Sequence, residues 1–298
     1  MTKFTDFLSS ANIVYSLNAS LKELSSFKIG GSAAIICYPD CAEKAAALVK
    51  YCNENGMKYM TFGRCSNVLF PDSGLLTPII KTDKMNSMVF SDGLFCFGAG
   101  VMLAKASKYT VDKGYAGMEF AYGIPGSVGG AVYMNAGAYG GEMSQCIEKT
   151  EYVDDRGNIC VLEQKLHEFG YRHSYFSDKN YIITKSYVSL EKGDRSNSAA
   201  LIDEFQSARK SKQPLDMPSA GSVFKRPQGY FAGKLIEDSG LKGAFVGGAM
   251  VSTKHSGFIV NYDNASERDV RELISVIQNK VMEKYGVLLE CELKFIED

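Results

Sequence analysis

Apolar positions recur along this chain with two spacings, and the two alternate from one end to the other. Over the first 25 residues, short apolar clusters at Phe7, Leu8, Val14, Leu21 and Leu24 predict one or two helices. Ile35, Ile36 and Tyr38 read as a strand that stops at Pro39. Asp40, with Glu43 three residues on, predicts a capping box. It opens a helix through Ala45, Leu48, Val49 and Cys52 that ends near Gly56. Met57 to Phe62 predicts the next strand, a βαβ-like start followed by a loop from Gly63 to Asn67. From Leu69 to Gly100 the pattern shortens to strands over 78–80, 88–90 and 94–97. A helix is expected from Leu103 to Asp112, ending near Gly114.

Strands follow near 148–153, 159–162 and 181–190, and the polar run from Glu191 to Ser198 reads as a boundary. A helix over about 198–212 is broken by Gln213-Pro214. The strongest helical signal comes near the end. Ser266 and Asp269 form a capping box, Val270, Leu273, Ile274, Ile277 and Val281 make one stripe, and Gly286 stops it. The last predicted strand, 287–296, alternates. Val287, Leu289, Cys291, Leu293 and Phe295 share one face, and Leu288, Glu290, Glu292, Lys294 and Ile296 the other. Interleaved helices and strands give an α+β class. Three consecutive domains are expected, over 1–67, 68–195 and 196–298, with the chain end returning to the active site.

Composition narrows this picture only slightly. A net charge of −1 without single-sign blocks leaves no nucleic-acid footprint. No apolar run approaches the ~18 residues of a membrane span, and the N-terminus carries too short an apolar stretch for a secretory signal. A cytoplasmic protein, a monomer, is the expectation. The eight cysteines form no CxxC pair, and no His lies near them at ligand spacing. They read as reduced thiols rather than as a metal site.

Candidate chemistry begins with the segment from Gly123 to Gly141, GIPGSVGGAVYMNAGAYGG. Glycines let backbone N–H groups approach an anion without a Cβ in the way, and a pyrophosphate is the natural guest. The spacing is neither GxxxxGK[ST] nor a GxGxxG opening a helix, which disfavours a P-loop and a Rossmann site. A glycine-rich turn packed in a core is the plain alternative, and composition does not separate the two. Asn135 likewise reads as a ligand or as a turn residue. A second candidate, Gly63-Arg64-Cys65-Ser66-Asn67, follows a predicted strand. Two such loops can grip the ends of a long dinucleotide.

Downstream, Tyr171-Arg172-His173-Ser174-Tyr175-Phe176 places a cation among aromatics, and the loop from Pro218 to Pro227 carries two hydroxyls and two cations. Each also reads as an ordinary surface feature. Ser222 is not in a GxSxG turn, so serine hydrolysis is disfavoured. Glu290 and Glu292 share a strand face with Lys294, and alternation does not separate them. His255 reads equally as a satisfied core histidine.

Taken in order, SSFKIGG, GRCSN, AGMEFAYGIPGSVGGAVYMNAGAYGGE, YRHSYF, KQPLDMPSAGSVFK, AGKLIEDSGLKG and SGFIVN resemble the flavin-dependent UDP-N-acetylenolpyruvoylglucosamine reductases, in their short compact form. The resemblance runs from about Ser26 to the C-terminus. It implies a FAD-binding fold of the vanillyl-alcohol-oxidase type, two subdomains gripping noncovalent FAD, and a third domain over the substrate. It also implies NADPH as hydride donor, a UDP-sugar enol ether as acceptor, and a step of peptidoglycan synthesis. Carried over by motif, the catalytic residues are Arg172, Ser222 and Glu292. The last is chosen because Leu289-Glu290-Cys291-Glu292-Leu293 matches a family Leu-Glu-Pro-Glu-Val. FAD contacts fall on Gly63, Arg64, Cys65, Ser66, Asn67 and Val68 in the first loop. In the second they fall on Gly123, Ile124, Pro125, Gly126, Ser127, Gly129, Gly130, Asn135, Ala136, Gly137 and Ala138. Lys210 and Arg226 are expected at the UDP moiety. Two positions depart from the family: Arg226 stands where Asn is usual, and Cys65 where Gly is usual. The rival readings are another flavoprotein of the same fold, such as an oxidase, and a nucleotide-sugar-binding module without redox chemistry.

Overall fold

The structure, a computed structural model, describes residues 2–298. Contacts within the chain gather around two centres. The chain forms two compact units, each assembled from separate stretches: 2–17, 35–64 and 77–208 in the first, and 18–34, 65–76 and 209–298 in the second. The reason is long-range pairing. The chain end, Lys294–Phe295, lies parallel to Val68–Leu69, so segments more than two hundred residues apart belong to one body.

In the first unit a five-stranded antiparallel sheet runs in the order Ile159–Glu163, Ile147–Val153, Ile182–Ser189, Leu94–Gly98, Met88–Ser91. Its inner face buries Phe95, Phe97, Ile147 and Val188 against Met118, Phe120, Val128 and Val132. A second sheet places Ile79–Lys81 between Ser32–Tyr38 and Met60–Phe62, all parallel, with Val14–Ser20 at the edge. The helix Ala42–Glu54 covers it through Ala45, Leu48, Val49 and Cys52, the expected stripe. Its cap differs from the expectation. The N-cap is Cys41 and makes no side-chain bond, because the Asp40 carboxylate is taken by Lys44 one turn on, at 2.8 Å. Near the start, Val14–Ser20 is a strand between the helices Thr2–Ser10 and Leu21–Leu24. The Cys37 and Cys52 thiols are pushed up, to about 12 and about 11, by burial, so they remain protonated core groups.

The second unit holds a four-stranded antiparallel sheet, Ser219–Ser222, Phe258–Asn261, Ala249–Val251 and Phe245–Val246. The helix Glu267–Tyr285 packs on it through Val270, Leu273, Ile274, Ile277 and Val281, each burial worth roughly 1.5–3 kcal/mol. Its ends are those predicted. Ser266 and Asp269 bond reciprocally, and Gly286 adopts the left-handed conformation at φ 65°. The expected strand over 287–296 forms only at Lys294–Phe295, with one bridge at Cys291. Burial still alternates, since Leu289 and Leu293 are inside while Leu288 and Glu290 are outside. The helix expected from Ser198 begins at Arg195. No helix of the described residues is long and apolar enough to cross a membrane.

Candidate functional site

In the first unit the two glycine-bearing loops meet. Gly63 follows the strand Met60–Phe62, and a Cβ on it would lie 2.5 Å from Ser127 Oγ. Ser127 is 1% exposed and caps the short helix Val128–Tyr133, its Oγ accepting from Gly130 N–H at 3.4 Å. No larger residue fits at Gly63 without moving that cap.

The glycine-rich segment divides between the two readings left open above. Gly129, Gly137 and Gly141 are small for packing reasons. Their Cβ positions would lie 2.8 Å from Ala99 Cβ, 2.7 Å from Gly141 O and 2.5 Å from the Phe120 ring. The N–H groups of Ile124, Gly129 and Ala136 donate to Ala121, Ala99 and Ala131. The turn at Gly126 and Ser127 is different. Gly126 has φ +143°, and no backbone carbonyl among the described residues takes the N–H of Gly126 or of Ser127. Two adjacent uncommitted N–H groups beside a close backbone approach are what an anion-binding turn requires.

The Asn135 side chain is bonded within the protein. The residue is 1% exposed, with φ +42°, and its amide donates to Glu142 Oε1 and Gly170 O, both at 3.0 Å. Its Oδ1 accepts Ser144 N–H at 2.9 Å. The side chain thereby ties the glycine-rich segment to the turn bearing Arg172. That turn is closed by a Gly170–His173 bridge, and Arg172 itself sits at φ +56° with its guanidinium 5.0 Å from the Tyr171 ring centre.

In the second unit, Ser26 N–H donates to Cys65 O at 3.4 Å, and its Oγ donates to Ser66 O and Ser219 O at 3.4 and 2.8 Å. It links the remainder of the first loop to the start of PSAGSVFK. Cys65, where the family has Gly, is buried and held at φ +53°, a left-handed conformation that glycine adopts more easily. Asn67 commits an amide hydrogen to Glu292 O at 3.1 Å, and Val68 pairs with Lys294.

Ser222 is exposed on its strand beside a bulge at Gly221, whose φ is +79°. The next residue, Val223, accepts the N–H of Glu292 at 2.8 Å. Ser222 and Glu292, distant in sequence, therefore lie on adjoining segments. The same contacts separate the two glutamates. Glu290 is exposed and paired with Lys225 at 3.3 Å, whereas Glu292 is half-buried beside Val223.

Arg226 is exposed, with its guanidinium 4.0 Å from the Phe231 ring centre and Nε donating to Tyr230 O at 3.3 Å. Lys210 lies in the last turn of the helix Arg195–Lys212, and its carbonyl accepts a hydrogen bond from the Lys254 ammonium at 2.7 Å. Sequence reading singled out neither Phe231, Lys254 nor Ser26. An aromatic five residues after an arginine in a Gly-containing turn was the available signal for Phe231. His255 is structural: Nδ1 accepts Gly257 N–H at 3.1 Å, and burial lowers its pKa, keeping it neutral.

Comparison with known proteins now decides the family. The profile described as UDP-N-acetylenolpyruvoylglucosamine reductase, C-terminal domain, matches residues 213–296, and one described as FAD binding domain matches residues 33–163. The UDP-N-acetylenolpyruvoylglucosamine reductase of Clostridium novyi (strain NT) is 42% identical over 279 residues, 94% of this chain and 91% of that protein. That of Caldicellulosiruptor bescii is 42% identical over 296 residues, 99% and 94% of the two chains.

This chain belongs to the UDP-N-acetylenolpyruvoylglucosamine reductase family.

The crystal structure of the reductase from Thermus caldophilus agrees, with a TM-score of 0.80 at 31% identity, covering 96% of this chain and 99% of that one. The expected α+β class and FAD-binding fold hold, and the chain is an FAD-dependent oxidoreductase. Its residues fit the reductase cofactor. The Gly126-Ser127 turn has the adjacent uncommitted N–H groups that a diphosphate requires, and Gly63, without a Cβ, packs closely on Ser127.

Proposed function

We propose that this reductase converts UDP-N-acetylglucosamine enolpyruvate to UDP-N-acetylmuramate with NADPH, as a cytoplasmic, monomeric enzyme of peptidoglycan precursor synthesis acting on small molecules and not on nucleic acid. The observation that carries the residue roles is the Glu292 N–H to Val223 O bond, which supports a joint role for Ser222 and Glu292. Noncovalent FAD supplies the hydride relay from NADPH to the enol ether. The turn at Gly126 and Ser127, with Gly63 and Arg64, holds the diphosphate of that cofactor. Arg172 is the fixed cation for charge developing on the substrate carboxylate, and Glu292 in its protonated form donates a hydrogen bond to the same group. Ser222 delivers the proton to C2. Lys210 and Arg226 neutralise the UDP diphosphate, with Arg226 acting as a charge where an amide is usual.

The test separates the half-reactions. Ser222→Ala should let NADPH bleach the flavin at the normal rate but slow reoxidation by the UDP-sugar enol ether by about 10²- to 10⁴-fold, the range for a lost proton donor. Normal turnover in Ser222→Ala would remove Ser222 from the chemistry. Rapid reoxidation by O₂ without dependence on the enol ether would favour an oxidase instead, and a colourless protein would favour the binding module.

A further inference from the structure

Beneath the first cofactor loop lies a charge cluster that the reaction does not explain. Lys81 ends the strand Ile79–Lys81 and is 2% exposed. Lysine is almost never fully buried without a partner, because desolvating the ammonium is costly. Here it donates to Gly63 O at 2.6 Å and lies 3.4 Å from Asp83 Oδ2. The Arg64 guanidinium stands 4.0 Å from the same carboxylate oxygen. The other oxygen, Asp83 Oδ1, is buried and has no hydrogen-bond partner in the protein. Two cations share one carboxylate, so the cluster carries a formal surplus of one positive charge. It lies under Gly63, the residue whose missing Cβ allows the approach to Ser127.

We propose that Lys81 is a positioning residue for FAD. Its bond to Gly63 O fixes the rotation of that peptide, and hence the face the loop turns toward Ser127. The surplus charge of Lys81, Arg64 and Asp83 favours an anion at the loops. Lys81 acts through the loop and does not touch the cofactor. The plain alternative is an internal ion pair that only stabilises the strand end. An apolar side chain in that place would generally serve as well, since buried ion pairs seldom exceed hydrophobic replacements in stability. What an apolar residue cannot supply is a donor for Gly63 O together with a net positive field. The inference rests on reading Gly63 and the Gly126-Ser127 turn as the FAD loops.

The experiment titrates deflavinated protein with FAD and follows the quenching of flavin fluorescence, with far-UV circular dichroism and the apoprotein unfolding midpoint as controls. Lys81→Met should weaken FAD binding roughly ten- to a hundred-fold, the worth of one hydrogen bond to a charged group. Lys81→Gln, which keeps a donor without the charge, should lie between Met and wild type, and Lys81→Arg should restore most of the affinity. If Lys81→Met does not fold, Lys81→Gln decides. A folded Lys81→Met or Lys81→Gln protein that binds FAD within about twofold of wild type overturns the proposal, even with a lowered unfolding midpoint. Gly63→Val guards the underlying reading. If it too leaves FAD affinity unchanged, the loop assignment is wrong. If it abolishes binding while folded Lys81→Met binds FAD within about twofold of wild type, the loops stand and the role of Lys81 falls.

Discussion

Asn135 offers the sharpest test of whether the glycine-rich segment is ligand or frame. Asn135→Ala removes two donated bonds, to Glu142 Oε1 and Gly170 O, and one accepted bond, from Ser144 N–H. The site is 1% exposed, so water does not replace these partners. At about 1 kcal/mol for each orphaned group the loss is about 3 kcal/mol. Alanine tolerates φ +42° less well than asparagine, which adds roughly 1 kcal/mol. Urea unfolding of Asn135→Ala should therefore show a total loss of about 4 kcal/mol, large for a single substitution. Because Gly170 O sits two residues before Arg172, reoxidation by the enol ether should fall more steeply than FAD affinity. A loss below about 1 kcal/mol would refute the frame reading. So would a variant whose main defect is weakened flavin binding, since Asn135 would then act as a cofactor ligand.

Two further outcomes follow from the second unit. Glu290→Gln, which breaks only an exposed pair with Lys225, should leave turnover within about twofold, whereas Glu292→Gln should slow the enol-ether half-reaction at least about tenfold. Steady-state and half-reaction rates check this, and the reverse ordering would exchange the two residues. Asp269 is held below the usual carboxylate range chiefly by the Ser266 backbone N–H, with a further bond from Gly248 N–H. A depressed native pKa contributes stability above the unfolded value of about 3.9, and that contribution is lost as pH falls through the native value. Asp269→Ala should cost about 1–2 kcal/mol near neutrality, a difference that shrinks below about pH 4 in urea titrations.

Local signals were legible where their bonds close within a turn. Ser266 with Asp269 and the stop at Gly286 need only neighbouring atoms, so the helix Glu267–Tyr285 was read correctly at both ends. The same logic failed at Asp40, because Lys44 at i+4 competes for the carboxylate and spacing alone does not rank the two. The alternating run over 287–296 separated inside from outside, but how much of it pairs was not legible, because its partners, Val68–Leu69 and Phe224, lie far along the chain. The glycines of the 123–141 segment looked alike in sequence. Only neighbours such as Phe120 and Ala99 divide those required for packing from the open turn at Gly126.

By itself, then, the order of motifs determined the family, the FAD dependence and the three residues proposed for the chemistry, because a motif is a contiguous record of what a loop must do. Tertiary structure decided what no contiguous segment contains. It assembled each of two compact units from stretches far apart in the chain. It set Glu292 and not Glu290 beside the residue following Ser222, and committed the Asn135 amide to the frame. It also buried Lys81 under a glycine eighteen residues earlier in the chain. The physical reason is common to all four. Hydrogen bonds and burial act over a few ångströms of space, and only the folded chain determines which residues lie within that reach.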